Sequence, residues 1–155
     1  MPHDWNNPRT AQWCQYLLDS YAHWLGQELI ERDGAPLQQA ERLFNSNFVV
    51  VSHGIELDPI LNYGNQMALS LWTMDWQQFT RVPSRLTAEA PNREERERML
   101  ELAKTQGHIS NYRGIRIAST GQRFLINKAI IWNIHEPQGA TIGQGATFNT
   151  WQFLS

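Results

Sequence analysis

The stretch SHGIELDPILNYGN, residues Ser52–Asn65, is the part of the sequence that decides the fold. It follows directly on the apolar run FVVV at Phe48–Val51, which is typical of a buried strand. Its fourteen residues include a histidine, two acids, a proline, a tyrosine and two asparagines. A strand that only packs would not carry so many polar groups. The stretch therefore predicts that the chain leaves a sheet here, beside a site or a set of structural turns.

Further motifs follow this stretch in a fixed order. They are ALSLW at 68–72, PSR at 83–85, NREER at 92–96, YRGIRIASTGQRF at 112–124 and GQGATFNTW at 143–151. Together they resemble the MEKHLA domain, a relative of the PAS sensor fold, over roughly residues 40–151. The resemblance implies a PAS-like regulatory module of the free-standing type found in cyanobacteria and algae, acting through a ligand or a partner. In plants such domains end homeodomain-leucine zipper factors, but nothing about DNA binding carries over to this sequence.

The composition limits the class of protein, its partners and its location. The chain has 155 residues, 41% of them hydrophobic and 18% charged, which is typical of one globular domain. A net charge of -2 and the lack of a basic tract disfavour nucleic acid as a partner. Cys14 is the one cysteine, so an internal disulfide is excluded. No apolar run is long enough to span a membrane and the polar start lacks a signal core, so we expect a cytoplasmic protein.

The N-terminal segment predicts a long helix with an aromatic stripe. Asn7-Pro8 is typical of a helix start, and the helix is expected to run to about Arg32, before Asp33-Gly34. We define the aromatic stripe as Trp13, Leu17, Tyr21 and Trp24. The expected division is an N-terminal helical extension, 1–34, and a PAS-like domain, 35–155, within one globular unit.

The remaining pattern predicts short helices and an antiparallel sheet. The expected helices are Pro36–Phe44, Asn65–Leu71, Trp76–Thr80 and one from Asn92 to about Gln106. The expected strands are Phe48–His53, Ile60–Tyr63, His108–Ser119, Gln122–His135 and Thr141–Thr150. Tight turns join the last three strands, which requires antiparallel pairing. The fold class is therefore α+β, a PAS-like antiparallel five-stranded sheet with short helices over one face and a long N-terminal helix.

Strict alternation along the fourth strand places Phe124, Ile126 and Trp132 on one face. The other face also holds apolar residues, Leu125 and Ile131 among them, so both faces need cover. The central helices can cover one face and roof a pocket. The aromatic stripe can cover the other, in its own subunit or in a partner, and we expect a homodimer.

His53 has two interpretations. With Glu56 or Asp58 as the group that orients it, it could act as a general base. Alternatively, its ring is fixed by a nearby carboxylate or by backbone at the strand end, while Asp58-Pro59 forms a turn. No metal site is expected, because His108 and His135 lie far away in the sequence.

Each further candidate also has a structural alternative. Asn65 could cap the next helix, Trp72 and Trp132 could be core residues, and Arg85 could clamp an anion or form an ion pair. Arg113 and Arg116 point to opposite faces of a strand, so one could face the pocket, although a cross-strand ion pair competes. Gln144 is similar to a glutamine that contacts flavin in photosensing PAS domains. Cys14, however, lies outside the helices that carry their reactive cysteine, and the cofactor stays open.

The predicted function is a non-catalytic sensory or protein-interaction module. Its expected partners are a small planar or anionic ligand, an unidentified protein and a second copy of the chain, with no membrane. The alternatives are a small enzyme that uses His53 as general base, and a purely structural dimerisation domain. We expect His53, Tyr63 and Asn65 at the entrance of one cavity with Trp72 and Trp132 in its walls. The candidate ligand-binding residues are His53, Tyr63, Asn65, Trp72, Arg85, Arg116, Trp132 and Gln144.

Overall fold

The computed structural model describes residues 4–88 and 90–155, without the side chains at 90–93, 96, 100 and 103. The helices are α1 (Pro8–Leu25), α2 (Pro36–Phe44), α3 (Gln66–Trp72), α4 (Trp76–Phe79) and α5 (Ala90–Gln106), with a 3₁₀ turn at Ser84–Thr87. The strands are β1 (Val49–His53), β2 (Leu61–Gly64), β3 (His108–Ile117), β4 (Arg123–His135), β5 (Thr141–Phe148) and β6 (Thr150–Phe153). Helix α5 begins at Ala90, so the predicted start at Asn92 is wrong by two residues, and the capping role predicted for Asn92 falls on a side chain outside the described ones.

The strands form one antiparallel sheet in the order β2-β1-β5-β4-β3, and β6 also pairs with β4. The prediction of an α+β fold with an antiparallel sheet is confirmed. The sheet has six strands rather than five, because the last strand is interrupted at Asn149. Both halves of the interrupted strand, β5 and β6, pair with β4.

The interruption lies opposite an irregularity in β4. Lys128 has a φ of 55°, a left-handed conformation that breaks the pleat. On one side of it Asn127 pairs with Thr150, and on the other side Ile130 pairs with Thr147. The alternation of side chains between the two faces therefore shifts by one residue at Lys128.

This shift separates residues that strict alternation places together. Phe124 and Ile126 lie in one core with Ala129 and Ile131, whereas Trp132 lies in the core on the opposite face. The predicted common face for Phe124, Ile126 and Trp132 is therefore wrong beyond Lys128. We call the face of Phe124 and Ile131, covered by α3, α4 and the 3₁₀ turn, the inner face, and that of Trp132 the outer face.

Helix α1 starts as predicted and ends earlier. The Asn7 side chain accepts a hydrogen bond from the Thr10 N–H at 2.8 Å, and Pro8 is the first helical residue. Gly26 then adopts a φ of 73° and donates its N–H to the Ala22 carbonyl, which terminates the helix. The expected end at about Arg32 is wrong; Arg32 instead returns to α1 and pairs with Asp19 at 2.8 Å.

Helices α1 and α2 cover the outer face of their own sheet. The indole of Trp13 donates to the Ser52 hydroxyl at 2.9 Å, and that of Trp24 donates to the Asn133 carbonyl at 3.0 Å. In the opposite direction, the indole of Trp132 on the sheet donates to the Leu17 carbonyl of α1 at 3.1 Å. The aromatic stripe is thus satisfied within one chain and needs no second subunit. The core on this face comprises Ala11, Cys14, Leu17, Leu18, Tyr21, Ala40, Leu43, Val50, Tyr63, Trp132 and Ile134.

Candidate functional site

A cavity of about 60 Å³ lies between the inner face of the sheet and the segments that cover it. We call it the inner cavity. Among the described residues that line it, none is Asp or Glu, and most are buried. They are Val51, Ser52, His53, Leu61, Trp72, Phe79, Ser84, Thr87, Tyr112, Arg116, Ile126, Ala129, Ile131, Gln144, Gly145, Ala146 and Phe148.

Arg116 is the charged residue in this lining. It lies on β3, and only 7% of it is exposed. Its guanidinium donates to the Tyr112 hydroxyl at 3.1 Å and to the Ile115 carbonyl at 3.0 Å, and it lies 5.4 Å from the centre of the Tyr112 ring. The ion pairs among the described side chains involve Arg32 and Arg85 and leave Arg116 without a carboxylate. The competing cross-strand ion pair is therefore not formed within the described part of the chain.

Trp72 forms part of the aromatic wall of the inner cavity. Its ring meets those of Phe124, Phe79 and Phe148 edge-on, with centroids 5.1, 5.8 and 6.3 Å away. Such edge-to-face contacts fix the ring position and leave little freedom for a ligand to stack on it. Trp72 is thus a core residue that also limits the size of the cavity.

His53 and Gln144 lie between the inner cavity and a groove on the surface. The Nδ1 atom of His53 is 2.8 Å from the Gly54 carbonyl, and Gln144 donates its side-chain amide to the Asn133 side chain at 2.9 Å. Both residues also line the groove, which has a volume of about 430 Å³ and runs between the loop 54–59 and α5. These two side chains are therefore the connection between the cavity and the surface.

The loop 54–59 and the start of β2 are bonded to the 3₁₀ turn and to Val82, which lies shortly before it. Arg85 forms an ion pair with Asp58 at 3.0 Å, and the Ser84 N–H donates to the Pro59 carbonyl at 2.7 Å. A third bond runs from the Leu61 N–H to the Val82 carbonyl at 3.0 Å. Arg85 therefore holds the loop and does not reach the inner cavity, which favours its structural interpretation.

Asn65 is completely buried and makes four side-chain hydrogen bonds. Its Oδ1 accepts from the N–H groups of Ala68, at 3.2 Å, and Val50, at 3.1 Å. Its Nδ2 donates to the carbonyls of Phe48, at 2.8 Å, and Leu43, at 3.3 Å. It caps α3 and joins it to β1 and to the end of α2, which agrees with the capping interpretation.

Tyr63 lies on the outer face, where its hydroxyl meets the Cys14 thiol. Burial raises the pKa of Cys14 to about 12, and burial together with Cys14 raises the pKa of Tyr63 well above its usual value. Trp132 is on the same face. The predicted arrangement around the cavity of His53 and Trp72 is therefore wrong, because the sheet separates Tyr63 and Trp132 from it. The Asn65 side chain is not in the lining and is engaged by backbone groups of α2, β1 and α3.

The structure thus brings four of the eight candidates together at the inner cavity: His53, Trp72, Arg116 and Gln144. It places Tyr63, Asn65, Arg85 and Trp132 elsewhere. Sequence reasoning missed Tyr112, although its position on the same face as Arg116 was visible from the period of two. It also missed the contribution of Thr87, for which the sequence carries no signal.

Two glycines of β5 allow close approaches on the outer face. A Cβ atom on Gly145 would come 2.7 Å from the Trp132 indole, and one on Gly143 would clash with the His53 carbonyl and meet the Trp13 ring at 3.0 Å. Among the described residues, no group of three His, Cys, Asp or Glu is placed to hold a metal ion. None of the helices there is long and apolar enough to cross a membrane.

Solved structures with a similar fold are PAS and light-oxygen-voltage domains. A PAS domain from Colwellia psychrerythraea matches at a TM-score of 0.64 and 14% identity, over 73% of this chain and 94% of that one. A light-oxygen-voltage domain studied with a flavin analogue matches at a TM-score of 0.59 and 12% identity, over 76% of this chain and 85% of that one. An RNA-binding light-oxygen-voltage receptor matches at a TM-score of 0.64 and 11% identity, over 78% of this chain but 34% of that one.

These likenesses confirm the PAS-like fold. No curated protein matches the chain. The family model of the MEKHLA domain matches residues 11–153, so the match includes most of α1 as well as the sheet. The chain belongs to the MEKHLA domain family.

Proposed function

We propose that this chain is a non-catalytic sensory module whose inner cavity binds a small ligand. The observation that carries the proposal is Arg116, a buried cation that faces a void and has no carboxylate among the described residues. The PAS and light-oxygen-voltage likeness supports a sensory role. The free-standing type, the cytoplasmic location and the homodimer stay predictions.

The energetics of Arg116 favour a ligand. Removing a charge from water costs several kcal/mol, and the cost is offset only when the charge is paired and its donors are satisfied. A guanidinium has five N–H donors, and the bonds to Tyr112 and Ile115 use two of them. A group that brings acceptors into the cavity would satisfy donors for which the described part of the chain supplies no acceptor.

The enzyme alternative finds less support in the geometry. A general base needs a group that orients it, and the two acids near His53 are otherwise engaged. Glu56 accepts a hydrogen bond from the Ile60 N–H at 3.3 Å, and Asp58 is paired with Arg85. His53 itself contacts the Gly54 carbonyl. Catalysis would require this loop to rearrange, whereas binding does not.

A flavin does not fit this site. Pockets for ligands of that size measure about 300–1,000 Å³, several times the volume of the inner cavity. Trp72, Phe79 and Phe148 fill the space that a ring system would need. Cys14 is on the outer face, separated from the cavity by the sheet, and Gln144 is bonded to Asn133. The ligand is therefore much smaller than the cofactor of photosensing relatives.

The test is a fragment screen by ligand-observed NMR on wild type and on a variant with a filled cavity. Ala146→Leu places about three more carbons into the inner cavity, and Ala140→Leu adds the same group at an exposed position in the turn before β5. We expect small fragments that bind wild type and Ala140→Leu but not Ala146→Leu. Binding of every hit to all three proteins alike would refute the proposal.

A further inference from the structure

We infer that the ligand of the inner cavity is a short-chain monocarboxylate whose carboxylate pairs with Arg116 and whose alkyl tail lies against the aromatic wall. The inference rests on the proposed function, because it names the chemistry of that same site. The charge, the size and the polarity of the inner cavity each narrow the class of ligand that it can bind.

Charge selects an anion. The described lining contains Arg116 and no acidic residue, so this part of the chain gives the cavity a positive charge at one end. The planar fork of a guanidinium matches the two oxygens of a carboxylate and forms two parallel hydrogen bonds with it. The same lining would repel an ammonium group and leave its charge unpaired.

Size limits the ligand to a few atoms. One water requires about 10–15 Å³ of such a cavity, so about 60 Å³ holds roughly four to six non-hydrogen atoms. That range corresponds to acetate, propionate and butyrate. Amino acids with large side chains, sugars and nucleotides are excluded as long as the aromatic wall keeps its position.

Polarity distinguishes a monocarboxylate from other small anions. Away from Arg116, the wall is formed by Trp72, Phe79, Ile126 and Phe148. The nearby polar groups are partly engaged, since Thr87 donates its hydroxyl to the Ser84 carbonyl at 2.7 Å. The buried indole N–H of Trp72 has no hydrogen-bond partner among the described residues, and this single donor would not compensate the additional charged oxygens of phosphate or of a second carboxylate. An alkyl tail gains from burial there.

The experiment is isothermal titration calorimetry of the whole chain with matched probes. The probes are acetate, propionate, butyrate, propionamide, succinate and inorganic phosphate. We expect the monocarboxylates to bind, with propionamide weaker by on the order of 10- to 100-fold, because it lacks the charge that pairs with the guanidinium. Succinate and phosphate should bind more weakly than propionate.

Variants assign the binding to the cavity. Arg116→Met should abolish propionate binding, and Arg116→Lys should weaken it by keeping the charge but not the fork. Arg113→Met, which removes an exposed arginine on the same strand, should leave it unchanged. Circular dichroism checks that each variant folds. The comparison of propionate with propionamide on wild type stays decisive if the Arg116 variants do not fold.

The outcomes separate this inference from the proposed function. Equal binding of propionate and propionamide, or tighter binding of phosphate or succinate, would overturn the monocarboxylate inference. If Ala146→Leu still blocks fragments while no carboxylate binds, the inference fails and the proposed function stands. If nothing binds in a manner that depends on Ala146, both fail.

Discussion

Replacing Asn65 with alanine is expected to lower the free energy of unfolding by about 4 kcal/mol. The side chain is completely buried and bonds four backbone groups from three parts of the chain. Loss of the cap on α3 costs about 1 kcal/mol. Each of the other three bonds contributes about 1 kcal/mol, and more where the backbone group it leaves has no other partner.

This loss is large against the total stability of a domain, which is roughly 5–15 kcal/mol. At about 2–4 °C per kcal/mol for a chain of this size, the melting temperature should fall by roughly 8–16 °C. The assay is urea unfolding followed by circular dichroism, with Asn47→Ala as the control, because Asn47 is exposed just before β1. The reasoning is refuted if the two variants differ by less than about 1 kcal/mol.

Three further predictions concern the outer face and the irregular strand. Lys128→Val should destabilise the fold by about 1–2 kcal/mol while Lys128→Gly should not, since a β-branched residue resists a φ of 55°; equal melting temperatures for the two variants would contradict this. Gly145→Ala should cost about 1–3 kcal/mol in urea unfolding by displacing the Trp132 indole, and an unchanged midpoint would show that the indole moves freely. Cys14 should be unreactive towards a thiol reagent at pH 8 until the chain unfolds. Because its pKa is raised in the folded state, its contribution to stability is complete below about pH 9 and is lost as pH rises towards about 12. The melting temperature should therefore fall more steeply with pH in wild type than in Cys14→Ala, and equal slopes for the two proteins would speak against it.

Local signals in the sequence predicted local structure well. The bounds of α2 agree with the prediction, Asn7-Pro8 starts α1, and Asn65 caps α3. Each of these depends on neighbouring residues alone. The early end of α1 shows the limit of periodicity, because the apolar pattern continues to Leu29 while Gly26 terminates the helix by its backbone conformation.

The misplacement of one candidate residue, Trp132, has its cause in β4. Lysine at 128 gives no sign of a left-handed conformation, which glycine or asparagine would have indicated. Without that information strict alternation sends Trp132 to the face of Phe124, whereas the structure places it on the opposite one. Arg116 was predictable as one of two arginines on opposite faces, but only the fold shows that no described carboxylate pairs with it.

The bonds that join the loop 54–59 to the 3₁₀ turn would control how often the inner cavity opens on this side. Ser84 and Thr87 line the cavity, and the Ser84–Pro59 and Arg85–Asp58 contacts must break before this side can swing away. For the proposed ligand, entry on this side would be limited by the frequency of opening rather than by diffusion, and release would be slow for the same reason. A module that bound its ligand in this way would report the average abundance of the ligand over many opening events rather than its brief fluctuations.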